Sequence, residues 1–318
     1  EEVSRGLGDV YKRQFLSGEY FATMCLTEAH CGTDLGLIRT KAVPENEAFR
    51  VSGQKIFITA GEHDLSDNII HLVLAKLPDA PPGAKGISLF LIPKILVNDD
   101  GSLGDRNGVN CVSIEEKMGV HGSPTCVLSF EESLGYLVGE PHKGLEAMFS
   151  MMNNERIAVG MQGLGVAEIS YQNALLYAKD RLQGRDLKGA KKPSEEADPL
   201  LVHPDIRRML LRAKALIDSS RMLSAWTALA IDKSVKDPDE KVRKANNDLV
   251  ELMTPIIKSI LTDYGVEISS EMLQIFGGHG YIREYGMEQF YRDARIAPIW
   301  EGTNGIQAMA VSYTHLTL

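Results

Sequence analysis

Apolar positions recur along this chain with two different periods. From about Phe21 to Phe130 the pattern is that of strands. Residues 49–58 (FRVSGQKIFI) partly alternate apolar and polar, 69–77 (IIHLVLAKL) is an apolar, β-rich run, 86–92 (GISLFLI) is another, and 126–130 (CVLSF) adds a short one. Turn-forming clusters separate them at 78–83 (PDAPPG) and 99–108 (DDGSLGDRNG). Strands this closely spaced leave no room for helical crossovers, so an antiparallel barrel or sandwich is expected. From Lys143 onward the period lengthens. In residues 204–230, Ile206, Met209, Leu210, Ala213, Leu216, Ile217, Ser220 and Leu223 recur at three and four. Leu249, Leu252, Met253, Ile256, Ile257 and Ile260 do the same in 242–268, which predicts two amphipathic helices. Pro255 is expected at a bend in the second, because proline removes a backbone donor. Residues 184–204, rich in Gly, Pro, Lys and Glu, are expected to form a loop between helices.

The fold class is therefore α+β and multidomain: a middle β domain over residues 15–140, then a helical bundle over 141–310. The two ends, 1–14 and 311–318, carry no periodicity that continues into their neighbours and read as non-native junctions. At 318 residues the chain is long enough for two domains, and 44% apolar with 24% charged residues is ordinary for a globular protein. No stretch approaches the length of a membrane span, and no signal-peptide pattern is present. A net charge of −9 argues against nucleic acid as a partner of the whole surface, while leaving room for a local basic pocket. Cys25, Cys31, Cys111 and Cys126 show no C-x-x-C pair and no histidine at zinc spacing. No metal is expected, and the thiols suit a reduced, cytoplasmic setting.

Four segments carry candidate chemistry. Residues 26–34 read LTEAHCGTD, 53–61 read GQKIFITAG, 177–185 read YAKDRLQGR, and 274–307 read QIFGGHGYIREYGMEQFYRDARIAPIWEGTNGIQ. The tandem glycines of the last allow a backbone to come close to a ligand, and an arginine at a helix end has the planar fork that suits phosphate oxygens. In content and order these segments resemble the acyl-CoA dehydrogenase family, and the resemblance runs over most of the chain. The family's L-T-E-P-x-A-G-S-D, G-x-K-x-[WF]-I-T-x-G, Y-A-x-x-R and Q-x-x-G-G-x-G…R-D-A-R/K…I-[YW]-E-G-T-x-x-I-Q are the patterns matched. Ala29 stands for the family's proline, Cys31 for its small residue and Thr33 for its serine, which keeps the hydroxyl. The Phe-Gly that follows the family's arginine is missing; Gly184 and Arg185 stand there.

The resemblance implies an FAD-dependent α,β-dehydrogenation of an acyl-CoA thioester, with proton loss to a carboxylate and hydride transfer to flavin N5. It places Leu26, Thr27, Gly32 and Thr33 at the flavin, with Phe57 covering the ring, Ile58 beside it and Thr59 hydrogen-bonded to it. Arg181 would reach a partner subunit's FAD pyrophosphate, which requires a homodimer or a dimer of dimers. Gln274, Gly277, Gly278, Thr303 and Asn304 complete the cofactor set. Thr33, Arg156 and Gly302 are the expected substrate contacts. Two family positions supply the base: Glu301, in IWEGTNG, is the expected one, with Glu155, in MMNNERIAVG, as the alternative. Electron-transfer flavoprotein is the expected acceptor. The long link at residues 93–120 resembles the larger bacterial subgroup that is 3-(methylthio)propanoyl-CoA dehydrogenase-like. In that comparison the chain would be an interior piece lacking the family's N-terminal helical domain. Met148, Met151 and Met152 are expected to be core rather than a thioether pocket. An acyl-CoA oxidase, a non-catalytic flavoprotein and an inactive fragment of the same fold are the alternatives.

Overall fold

A computed structural model describes residues 13–315; of the two suspected junctions, residues 1–12 and 316–318 lie outside these. The chain forms two units: one runs to residue 151 without residues 118–120, and the other holds 118–120 and everything from residue 152.

The strand-period region forms β1 (Tyr20–Cys25), β2 (Lys41–Glu45), β3 (Ala48–Thr59), β4 (Asn68–Lys76), β5 (Ile87–Pro93), β6 (Ile95–Val97), β7 (Leu103–Arg106), β8 (Val109–Ile114) and β9 (Thr125–Val138). Antiparallel ladders join β2 to β3, β3 to β9, β9 to β5 and β5 to β4. The pairing of Lys41 with Lys76 brings β4 back to β2, so the sheet closes into a barrel. β8 extends β9. Among the described strands the one full ladder that is not antiparallel is β1–β4, whose connection is made of the β2–β3 hairpin rather than an α-helix. β4 is buried at nearly every position, the reason its apolar run shows no alternation. Val73 of β4 joins Val51, Ile58, Phe90, Ile92, Leu128 and Phe130 in one core cluster, each contributing about 1.5–3 kcal/mol by burial. Where residues 99–108 were expected to be only a turn, part of the segment is β7, which pairs with β6.

The second unit contains α1 (Gly144–Asp180, its first turns counted with the strands), α2 (Pro204–Lys236), α3 (Glu240–Ile275) and the short α4 (Gly278–Tyr281), α5 (Met287–Ala294) and α6 (Asn304–His315). Pro204 opens α2 and Asp239 caps α3 by accepting the Lys241 N–H at 2.8 Å. α3 runs on through Pro255. The apolar stripes of α1, α2 and α3 meet through Leu164, Ala167, Met209, Ala213, Ile217, Ile257, Leu261 and Ile268. At the α1–α3 crossing a Cβ on Gly163 would sit 2.4 Å from Leu261 O and one on Gly265 2.9 Å from Gly163 O, so only glycine allows this approach.

The expected loop after α1 is ordered by one carboxylate. Buried Asp198 accepts the N–H groups of Asp186 (3.0 Å), Lys191 (2.8 Å) and Lys192 (2.7 Å), and those bonds hold its pKa down at about 2. Among the described residues no helix is long and apolar enough to cross a membrane.

Candidate active site

In the strand unit the structure brings the first two motifs together. Ile56 N–H donates to Thr27 O at 3.0 Å, and Lys55 Nζ reaches Leu26 O and Glu28 Oε1, both at 2.9 Å. Lys55 is wholly buried. Glu28 also accepts from Arg39 N–H (2.7 Å), Thr40 N–H (3.0 Å) and the Thr40 hydroxyl (2.7 Å). Burial alone would raise the Glu28 pKa; the Lys55 charge and these donors overcome it and bring it to about 2. Glu28, His30 and Cys31 bring ligand-type atoms within 4.8 Å of one another. Lys55 already matches the carboxylate's charge, and His30 Nε2 lies 2.9 Å from Leu37 O, so the trio is part of this ion-paired scaffold.

Above that scaffold the expected cofactor residues are set out toward solvent. Gly32, Thr33 and Thr59 are exposed, and Leu26 and Thr27 half-buried. The β3–β9 register shifts between Lys55 and Ile58. At this bulge Phe57 adopts φ 60° and is 61% exposed, while the Ile58 side chain enters the core. An aromatic with a left-handed backbone is a true outlier, and bulges re-aim side chains where a site needs them. Phe57 is thus a surface aromatic rather than a core one.

In the helical unit, Glu301 lies on the turn before α6, with φ 53°, followed by Gly302 at φ 86°. A Cβ on Gly302 would come within 2.6 Å of Gln307 Nε2. Gln307 Nε2 donates to Glu301 O (3.3 Å) and Gly302 O (3.1 Å), and Arg156 Nε to Glu301 O (3.4 Å). Burial raises the pKa of Glu301, and the neighbouring Glu155 raises it further; Arg156 and Lys258 pull the other way. Glu155 is exposed on α1, so the two candidate bases are neighbours in unlike surroundings. Asn304 is committed to α3: its Nδ2 donates to Ser259 O (3.2 Å), Thr262 Oγ1 (3.0 Å) and Asp263 Oδ1 (2.8 Å). Thr303 Oγ1 accepts the Ile306 N–H at 3.4 Å at the start of α6.

The third and fourth motifs also meet. Tyr177 stacks on Phe276 with centroids 4.0 Å apart, and its hydroxyl lies 2.8 Å from His279 Nδ1. Gln274, Gly277 and Gly278 are exposed, and no atom lies within 4 Å of where a Cβ would be on either glycine. Arg181 is exposed just past α1. The R-D-A-R stretch holds residues 118–120 instead: Arg292 Nη1 donates to Met118 O at 2.8 Å, and Asp293 Oδ1 accepts the Val120 N–H at 2.6 Å.

Two regions of the chain match family models: residues 23–133 the acyl-CoA dehydrogenase middle domain, and residues 142–314 the acyl-CoA dehydrogenase C-terminal domain. The chain belongs to the acyl-CoA dehydrogenase family. It is 48% identical over 299 residues to 3-methylmercaptopropionyl-CoA dehydrogenase of Ruegeria pomeroyi, covering 94% of this chain and 50% of that protein. A butyryl-CoA dehydrogenase of Syntrophomonas wolfei is 39% identical, with 96% and 51% covered. The chain thus spans about half the length of these curated relatives. Among solved structures, butyryl-CoA dehydrogenase of Megasphaera elsdenii superposes with a TM-score of 0.76 at 28% identity, covering 95% of this chain and 70% of that one.

Lys55, Tyr177 and Gln307 are fixed positions of the matched motifs whose roles the sequence patterns did not reveal, and Lys258 lies outside all four segments. For Lys258 a signal existed: Thr254, Lys258 and Thr262 repeat every four residues on a helix face that proves buried.

Proposed function

We propose that this chain forms the flavin- and substrate-binding core of an acyl-CoA dehydrogenase, with Glu301 as the acceptor of the α-proton. The observation that carries the reading is the environment of Glu301. It is a carboxylate held on a left-handed backbone and raised in pKa by burial and by Glu155, while the other candidate base stands in solvent. A weakly acidic C–H proton needs a base brought toward its own basicity, and burial does this. Arg156 and Gln307 hold the Glu301 carbonyl and so steady the backbone from which the carboxylate extends. The Glu301 N–H would polarise the thioester carbonyl and stabilise the enolate-like charge as the proton leaves.

The residues present fit FAD. An exposed, strained aromatic at Phe57, the hydroxyls of Thr27, Thr33 and Thr59, and the open backbone at Gly277 and Gly278 offer a ring face, polar contacts and close approach. Gln274 and Arg181 would serve its adenine and phosphate end, the latter across a dimer. Bound FAD supplies the hydride acceptor for Cβ, so the product is the 2-enoyl-CoA. Thioether-bearing and straight-chain acyl groups, the kinds named for two of the relatives, are the proposed substrate class, and electron-transfer flavoprotein is the proposed acceptor; a structure described as electron transferring flavoprotein of Acidaminococcus fermentans shares the fold with a TM-score of 0.74 at 27% identity.

Anaerobic bleaching of the flavin by 3-(methylthio)propanoyl-CoA and by butyryl-CoA tests the reading. Glu301→Gln should retain the yellow flavin and lose bleaching by about three orders of magnitude, within the range of general-base contributions; Glu155→Gln should bleach normally. The reverse pattern would transfer the role to Glu155.

A further inference from the structure

We infer that Lys258 is a positioning residue for the reaction: a buried ammonium that clamps the turn carrying Glu301 from beneath. The inference rests on the proposed role of Glu301. Lys258 lies in the middle of α3 and is wholly buried, an uncommon place for a lysine without a carboxylate bonded to it. Its Nζ donates to Gly302 O at 2.7 Å and Asn304 Oδ1 at 2.9 Å, the residues one and three beyond Glu301. Asn304 is in turn fastened to Ser259, Thr262 and Asp263 of the same helix. The ammonium thus ties α3 to a turn whose two central residues both have positive φ, a conformation that persists only where the surroundings impose it.

The clamp also carries charge. Burial lowers the Lys258 pKa to about 8, with Asp263 and Glu301 opposing that and Arg156 adding to it. Near neutral pH it is largely protonated and, with Arg156 on α1, limits how far burial and Glu155 raise Glu301. A nonpolar replacement should therefore loosen the turn and raise the pKa of the base together.

The test uses Lys258→Met, Lys258→Gln and Lys258→Arg in the full chain, with Glu301→Gln as reference. In Lys258→Met the rate of flavin reduction should fall by at least about tenfold, the scale of a charge-assisted hydrogen bond, while KM stays within about twofold. The acidic limb of its pH–rate profile should move to higher pH. Lys258→Arg, which keeps the charge, should leave that limb in place. Hydrogen exchange over residues 299–307, measured without substrate, should speed up in Lys258→Met. If Lys258→Met does not fold, the same limb and exchange are read in Lys258→Gln. An unmoved limb together with unchanged exchange overturns the clamp. Normal bleaching by Glu301→Gln overturns the reading of Glu301 instead, and the exchange result still decides whether Lys258 holds the turn.

Discussion

Phe57 and Glu301 share a conformation that costs roughly 1–3 kcal/mol in residues other than glycine: a left-handed backbone. Packing does not explain the first, since Phe57 is 61% exposed, whereas the turn that carries Glu301 is held by Arg156, Gln307 and Lys258. Phe57→Gly separates strain from function. Glycine takes φ 60° freely and little buried contact is lost, so the melting temperature of the flavin-free chain should stay level or rise slightly. Flavin retention on gel filtration should weaken. A large loss of stability with flavin retention unchanged would make Phe57 a structural residue.

At the scale of elements, the Lys55–Glu28 pair fastens the turn after β1 to β3, the two segments proposed to contact the flavin. Breaking a buried pair from one side leaves an unpaired charge, so Lys55→Met should cost about 3–5 kcal/mol in denaturant unfolding. The double variant Lys55→Met/Glu28→Gln should recover much of that loss, because the stranded charge is gone while the amide oxygen can still accept from Arg39 and Thr40. If the double variant loses the sum of the two single losses, the pair is not coupled. The loop after α1 uses related physics with a different balance: backbone N–H groups bond Asp198 closely, and the Arg185 guanidinium lies farther off at 3.5 Å.

For the molecule as a whole, acid should act in two stages. His71 is fully buried and its pKa is lowered from 6.5 to about 3 by burial and by Lys94. Between those values the unfolded chain binds a proton that the folded chain does not, so stability falls as pH drops through this window. Glu28 and Asp198 are both depressed to about 2, so their stabilisation is present above the usual carboxylate range and is lost as pH falls toward 2. Glu301, raised by burial, offsets part of this, because the folded state takes up its proton first. Thermal unfolding followed from pH 7 to 3 should show the early decline, and His71→Gln should remove it. A decline that begins only below pH 4.5 in the unmodified chain would show that His71 is not the group responsible.

The order of strands and helices, the closely spaced antiparallel ladders and the motifs of the family were legible in the residues themselves. Period reports which face of an element is apolar, and four motif segments in the family's order, one of them running over residues 274–307, leave few alternatives. The parallel β1–β4 ladder was not legible, because periodicity names a face and never a partner, and the connecting β2–β3 hairpin hides the crossover. Nor were the buried charges. A lysine in a strand or a helix is normally solvated, and only tertiary packing decides that Lys55 meets Glu28 and that Lys258 meets Gly302 O and Asn304. The candidate base was readable as a residue type at a motif position. Its raised pKa was not, since desolvation and the charges of Glu155, Arg156 and Lys258 depend on residues up to 146 positions away in sequence being folded around it.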